Sequence, residues 1–388
     1  YNIPIGYSRF IEELSRHFPE ERGNIIEYCK QIKKVIDSLD LFNLKPPVET
    51  TNFNPAFSTN ICDFLESITK NKKLQYVLGG FNFLYAGTSE TVSLYQHATV
   101  FHSFIQSSYR PIGGSGQIAD LLAEEIEKAG GTILNNSGVH QLEIEDGVVR
   151  SLLLDNEERI EAKQVVSNIH PAQTMALIDE GKIRKSYRKR LNNIPNTIST
   201  FTLYICLKEN QLQYQNYNSY HVSSDNTWHV LEQKISPWPG GYMFLTPAVT
   251  ESDEYAKSAI ILAFMDYNET ARWENTSVRK RGQEYLDFKQ EKAEQLLDFV
   301  EAKQPGLKNN VERSYTSSPL TYRDYTGTVE GSIYGICKDC RDLFGTYISV
   351  RSKISNLYFT GQNIGMHGVL GVSVGALQTC AEFIGFDK

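Results

Sequence analysis

The chain has 388 residues, 40% of them hydrophobic, with 39 basic against 46 acidic side chains and a net charge of −7. Its length exceeds one ordinary domain, so two interleaved domains are expected. The charges are interspersed with no basic stripe, which argues against a nucleic-acid partner, and the six scattered cysteines form no disulfide framework, which points to a reducing, cytoplasmic setting.

No apolar run approaches the ~18 residues a spanning helix needs. No signal peptide opens the chain, which begins at Tyr1 within what already reads as folded sequence. The first third reads as helical. A short helix is expected over residues 8–17, and a second from Pro19, with Glu20 and Glu21 in its first turn. Behind it Ile25, Cys29, Ile32, Ile36 and Leu39 recur at helical spacing, the pattern of one buried face. Pro46 and Pro47 break that pattern. Aromatic residues gather over 81–85 and again at Phe101, Phe104 and Tyr109, with His97 and His102 as candidate pocket-lining side chains.

At Gly113 the texture changes. Gly113, Gly114 and Gly116 open a helix expected over 117–129, which Gly130 and Gly131 close. Strands are expected from Thr132, over 139–145, over 148–154 beyond an Asp146-Gly147 turn, and over 162–167. Residues 114–119 satisfy G-x-G-x-x-A, but a dinucleotide fingerprint needs a buried strand just before it, and Ser107, Ser108, Arg110 and Pro111 cannot supply one. The motif reads as a tight helix start. Residues 197–266 are β-rich, a long charged helix is expected over 277–301, and a small-residue helix over 369–384 closes the pattern.

Three late features bear on chemistry. Cys337 and Cys340 have C-x-x-C spacing without a second pair or a helix start, and read as surface cysteines. Gly371 and Gly375 share a helix face, and since each costs ~1 kcal/mol relative to Ala, something flat or bulky is expected against them. His367 is a candidate proton donor because histidine titrates near neutrality, the plainer reading being a packing or hydrogen-bonding residue.

Tyr109 to Gly114, Val165 to Asn168 with Pro171, Pro319 to Thr321 with Tyr325, Gly331 to Ile336 and Asn356 to Gly375 together resemble the carotenoid desaturases, carotenoid isomerases and retinol saturases. The bacterial retinol-saturase-like branch is most similar, through Gly361-Gln362-Asn363 and His367-Gly368. The resemblance runs in order over most of the chain. It implies an α/β fold, a two-domain flavoprotein of the FAD-binding, amine-oxidase-like type. Residues 112–171 and 354–388 would form the FAD-binding α/β domain, and 1–111 with 172–353 an α+β substrate domain. By the same resemblance Val139 offers its backbone to the adenine, while Gly361, Gln362 and Asn363 meet the ribityl and pyrophosphate. The helix starting at Gly368 and Val369, with Gly371, would aim its N-terminus at the flavin.

The family's first Rossmann βαβ unit has no counterpart in this sequence, so the isolated chain is expected to hold little FAD; use of NAD(P) stays open. The implied activity is reduction, desaturation or isomerisation of C=C bonds in an isoprenoid, a hydrophobic small molecule, which leaves room for a peripheral membrane contact. Two other readings stand beside it: a lipid-binding remnant without flavin, and an amine-oxidase-like flavoenzyme. Under the flavin reading Gly371 and Gly375 face an open concave surface, and a side chain added at Gly371 costs the chain little stability.

Overall fold

The computed structural model describes residues 1–45, 54–232, 234–250 and 254–385; the break expected at Pro46 and Pro47 lies outside them. The N-terminal layer contains α1 (Tyr7–His17), α2 (Arg22–Asp37), α3 (Ile61–Ile68), α4 (Lys72–Gly79) and α5 (Leu94–Gln106). Pro19 starts a separate 3₁₀ turn, Pro19–Glu21, and α2 follows it. Asn60, Asn71 and Ser93 cap α3, α4 and α5, each side chain accepting a first-turn N–H. The stripe on α2 packs as its spacing requires: Ile25, Tyr28, Cys29, Ile32 and Ile36 are buried in one core with Phe10 and Leu14 of α1 and Phe101 of α5. Each fully buried apolar side chain contributes about 1.5–3 kcal/mol.

His97 and His102 serve this core, and neither lines the cavity described below. The His97 ring lies between the hydroxyls of Tyr28, 2.6 Å from Nε2, and Tyr85, 3.0 Å from Nδ1. Burial pushes its pKa down to about 3, so it is neutral, with one nitrogen donating and the other accepting. His102 bonds the Tyr7 hydroxyl at 2.8 Å.

The next block starts with α6 (Gly116–Lys128), which ends where the Gly130 N–H reaches the Glu127 carbonyl and the Gly131 N–H that of Ile126, with Gly130 at φ 83°. None of its residues is buried. The strand expected from Thr132 does not form. Its residues are exposed and pair with no neighbouring strand, and an extended segment without a ladder leaves its amides to water. An antiparallel meander follows, β1 (Val139–Glu145), β2 (Val148–Leu154) and β3 (Arg159–Glu161), with Asp146 and Gly147 at φ 51° and 74° turning β1 into β2. Then come β4 (Val165–Ser167), α7 (Pro171–Ala176) and α8 (Lys185–Asn192).

The central sheet is antiparallel. Strands β5 (Ser199–Leu207), β6 (Ser219–Val222), β7 (Gly241–Leu245), β8 (Ser258–Met265) and, after α9, β9 (Val311–Ser317) lie in the order β6-β7-β8-β5-β9. Helix α9 (Gln283–Glu301) covers one face, burying Leu296 and Val300 with Phe201, Ile205 and Ile261. It starts later than residue 277 because Gly282, at φ 81°, turns the chain into it. Beyond β9 lie α10 (Pro319–Thr326), opened by a reciprocal Ser318–Thr321 cap, and the short α11 (Leu343–Thr346).

Last come β10 (Leu357–Phe359) and α12 (Gly368–Ile384). Strand β10 runs parallel to β4, placing Leu357 opposite Val165 and Phe359 opposite Ser167. Asn356 ties this pair to the meander: its Oδ1 accepts the Val149 N–H at 2.8 Å, and its Nδ2 donates to the carbonyls of Val149 at 2.8 Å and Lys163 at 3.1 Å. The core around this junction also takes Met175, Ile178 and Leu191 from the α7–α8 region, and Ile348 and Val350. It therefore reaches past residues 171 and 354 into the stretch between.

Candidate functional site

The glycine-rich turn after β10 is shaped by close approaches. Gly361 sits at φ 86°, and a Cβ there would lie 2.0 Å from Asn168 Oδ1, so only glycine fits. Asn363 is buried and turned away from solvent: its Oδ1 accepts the Ile336 N–H at 3.0 Å, beneath Gly335, whose own Cβ would collide with it. The Gln362 carbonyl accepts from Lys338 Nζ at 3.1 Å. These bonds lock the turn to the 335–338 segment and deliver residues 364–368 to the start of α12.

That start borders a cavity of about 660 Å³. On one side are Leu84, Val100 and Phe104, the latter two on α5; on the other are Tyr334, Lys338 and His367 with the first two turns of α12. The lining is mostly apolar, the property of sites that hold large hydrophobic ligands. His367 is the N-cap of α12 but gives no side-chain cap, leaving the first N–H groups of the helix without that partner. Cβ atoms added at Gly365, Gly368 and Gly375 would meet nothing within 4 Å. Gly368, at φ 75°, turns the backbone along the cavity.

The two α12 glycines differ. Gly375 is open, as the flavin reading expects. Gly371 borders the cavity but is buried, and a Cβ on it would lie 2.6 Å from Met366 Cβ and 2.7 Å from the Met366 carbonyl carbon. The expectation that both face open space fails at Gly371, because the loop before α12 folds back over its first turn. An added side chain there is costly to the chain itself.

His367 donates from Nε2 to the Leu84 carbonyl at 2.9 Å and packs its ring 4.4 Å from that of Tyr334. Burial, with Lys338 nearby, pushes its pKa down to about 4. It is neutral at physiological pH, contrary to the titration near neutrality that nominated it, and its Nδ1 is left as an acceptor. Tyr334 donates its hydroxyl to the Phe83 carbonyl at 3.2 Å, and burial keeps the phenol protonated. Burial pushes Lys338 down to about 8.

Of the residues singled out in the sequence, His367, Gly368, Val369 and Gly371 border the cavity. Gly361, Gln362 and Asn363 stand behind it as the turn that holds its wall. Val139 is elsewhere, opening β1 opposite Leu154. The cysteine pair is not at the surface as expected: Cys340 is buried and Cys337 half-buried, both are free, and burial raises both thiol pKa values. Lys338 lies between them and was hidden by the C-x-x-C spacing. Phe104 belongs to the aromatic stretch noted in the sequence, but Leu84 and Val100 carried no signal of their own, since an apolar cavity wall and a core look alike in sequence.

Comparison with known proteins gives this geometry a context. The all-trans-retinol 13,14-reductase of Danio rerio is 25% identical, across 99% of this chain and 69% of that protein. Prolycopene isomerase 2, chloroplastic, of an Oncidium hybrid cultivar is 24% identical, across 98% of this chain and 67% of its own length. These are proteins of the group that the sequence motifs resemble. Among solved structures, putrescine oxidase bound to putrescine superposes with a TM-score of 0.55 at 14% identity, over 92% of this chain and 75% of that one. Cyclohexylamine oxidase from Brevibacterium oxydans gives 0.52 at 14% identity, over 92% and 72%. The architecture is thus that of amine-oxidase-like flavoproteins. The profile of the family described as flavin containing amine oxidoreductase matches residues 3–370, from before α1 into the first turn of α12. This chain belongs to that family and is an oxidoreductase of a flavin-containing kind.

Proposed function

We propose that the protein is an FAD-dependent oxidoreductase that reduces, desaturates or isomerises C=C bonds of an isoprenoid polyene. The observation that carries this reading is the apolar cavity ending at the glycine turn and the uncapped N-terminus of α12. The retinol reductase and the prolycopene isomerase, to which the chain is similar over nearly its whole length, support a polyene over an amine.

The residues present fit a flavin at one end of the cavity. Gly365, Gly368 and Gly375 leave room for a flat group, and the first amides of α12 offer donors and a positive dipole end to an electron-rich edge. Bound there, FAD supplies the two-electron exchange that a C=C bond requires. The chain's own part is to bind, orient and exclude water. Leu84, Val100 and Phe104 give a long apolar ligand a surface to lie on. His367 is held neutral, so it places no second cation beside Lys338 and offers Nδ1 as an acceptor. The net charge of −7 supports a small-molecule partner over nucleic acid. Among the described residues no helix is long and apolar enough to cross a membrane. The scattered free cysteines support a reducing, cytoplasmic setting, and the apolar substrate a peripheral membrane contact.

The test is spectroscopic. The purified protein is supplied with FAD, because the chain alone is expected to hold little, and the bound flavin band should bleach on anaerobic addition of all-trans-retinol or a carotene, or return if the flavin was first reduced with dithionite. Flavin that responds only to amines would replace this reading with an amine-oxidising one; colourless protein that still binds retinoid would mark a lipid-binding remnant.

A further inference from the structure

The cavity wall carries a cation with no counter-ion. Lys338 Nζ donates to the Gln362 carbonyl at 3.1 Å, and none of the ion pairs among the described residues includes it. Its neighbour Asp339 is held by Arg341 through contacts of 2.8 and 3.0 Å. An ammonium has three donors, and a neutral carbonyl satisfies one without balancing the charge. Lys338 is half-buried, and burial pushes its ammonium down to about 8 with no carboxylate pulling it back up. Leaving such a charge uncompensated is costly, and an anion at bonding distance offsets that cost. The rest of the wall is mostly apolar, from Leu84 and Phe104 across to Val369 and Leu370, with Asp339, engaged by Arg341, and Asp40 as its acidic side chains.

We propose that the cavity takes an amphipathic ligand with a carboxylate head, held by Lys338 Nζ, and an apolar chain lying between α5 and α12. This rests on the polyene reading above and narrows it to isoprenoids that carry an acid at one end. A single lysine with one carbonyl beside it suits a monoanion, where a phosphate would call for more donors. An oxidation that converts a terminal alcohol or aldehyde to the acid is then the class of reaction that must supply the substrate.

The experiment uses a conjugated fatty acid, cis-parinaric acid, and its methyl ester, titrated by fluorescence into the full chain as purified. The wild type should bind the acid about tenfold more tightly than the ester, the scale of one charge-assisted bond. Lys338→Met should erase that preference, so that acid and ester bind with the same affinity as each other, and Lys338→Arg should keep part of it. Should the Met variant melt too early to titrate, Lys338→Gln carries the same comparison. Equal affinity of the wild type for acid and ester overturns the carboxylate assignment and leaves the polyene reading standing. A preference that survives in Lys338→Met overturns it as well, and if that variant loses flavin at the same time, the lysine serves the cofactor instead. Binding of neither probe overturns both this assignment and the reading of the cavity as a lipid chamber.

Discussion

Helices α2 and α6 have the same kind of sequence and opposite fates. Both carry apolar residues at three- and four-residue spacing. On α2 that face is sealed, with Ile25, Tyr28 and Ile32 at 0% exposure in a core shared with α1 and α5. On α6 the equivalent face, Ile118, Leu121, Leu122 and Ile126, is between 39% and 61% exposed. The spacing sets which face of a helix is apolar; neighbours decide whether that face contributes to stability. Helix α12 shows both behaviours within one element, packed at Gly371 and open at Gly375.

The largest effect should come from the sealed side. Phe101 is fully buried and meets Phe10, Tyr28 and Phe81 edge-on. Phe101→Ala should lower unfolding free energy by about 3–5 kcal/mol, read from denaturant melts. A loss below 1 kcal/mol would mean that the layer is loosely packed and differs little from α6.

Two buried histidines, one in this layer and one at the start of α12, should make the protein acid-sensitive. His97 and His367 are pushed down to about 3 and about 4 in the folded state, against about 6.5 unfolded. Between those values the unfolded chain binds the protons first, so stability falls as pH drops below about 6.5 and is unaffected by these groups above it. The total is on the order of a few kcal/mol, and His97→Gln should flatten the slope of stability between pH 6.5 and 5. An unchanged slope in that variant would place the acid sensitivity elsewhere.

On α12 one added methyl should act in opposite directions four residues apart. Gly371→Ala meets Met366 at 2.6–2.7 Å and should cost about 1–3 kcal/mol, the range for overpacking. Gly375→Ala meets nothing and should stabilise by up to about 1 kcal/mol through helix propensity. Paired thermal melts decide it; if both changes cost the same, the glycines share one environment and the packed-and-open division of α12 is wrong.

These contrasts mark what was legible in the sequence. Periodicity gave α1, α2, α6, α9 and α12, and the Asp146-Gly147 turn gave the β1–β2 hairpin. Strand β9 was missed because it lies at the sheet edge, where Glu312, Arg313, Ser314 and Tyr315 are exposed and no apolar alternation survives. Helices α7 and α8 were missed because they are short, and α8 buries Leu191 alone. The expected strand at Thr132 failed for want of a partner, a long-range condition that a local pattern does not carry. At the site, the glycine turn and the start of α12 were readable, since glycine there is a backbone requirement. Lys338 was not: nothing in a single lysine between two cysteines tells of a cavity assembled from α5 and α12.

The smallest effect expected also tests most sharply whether α6 differs from α2. Leu122 is 61% exposed on α6, and no residue of that helix is buried. Leu122→Asp places a charge where the side chain already meets water, so no desolvation opposes it, and Asp is less favourable than Leu within a helix by a few tenths of a kcal/mol. The change in stability should therefore stay within about 0.5 kcal/mol. Solubility should rise, because the substitution interrupts the exposed apolar face formed by Ile118, Leu121, Leu122 and Ile126. Denaturant melts together with the concentration dependence of light scattering read both quantities. A loss of several kcal/mol would show that the α6 face is buried in solution, and α6 would then join α2 as a packed helix.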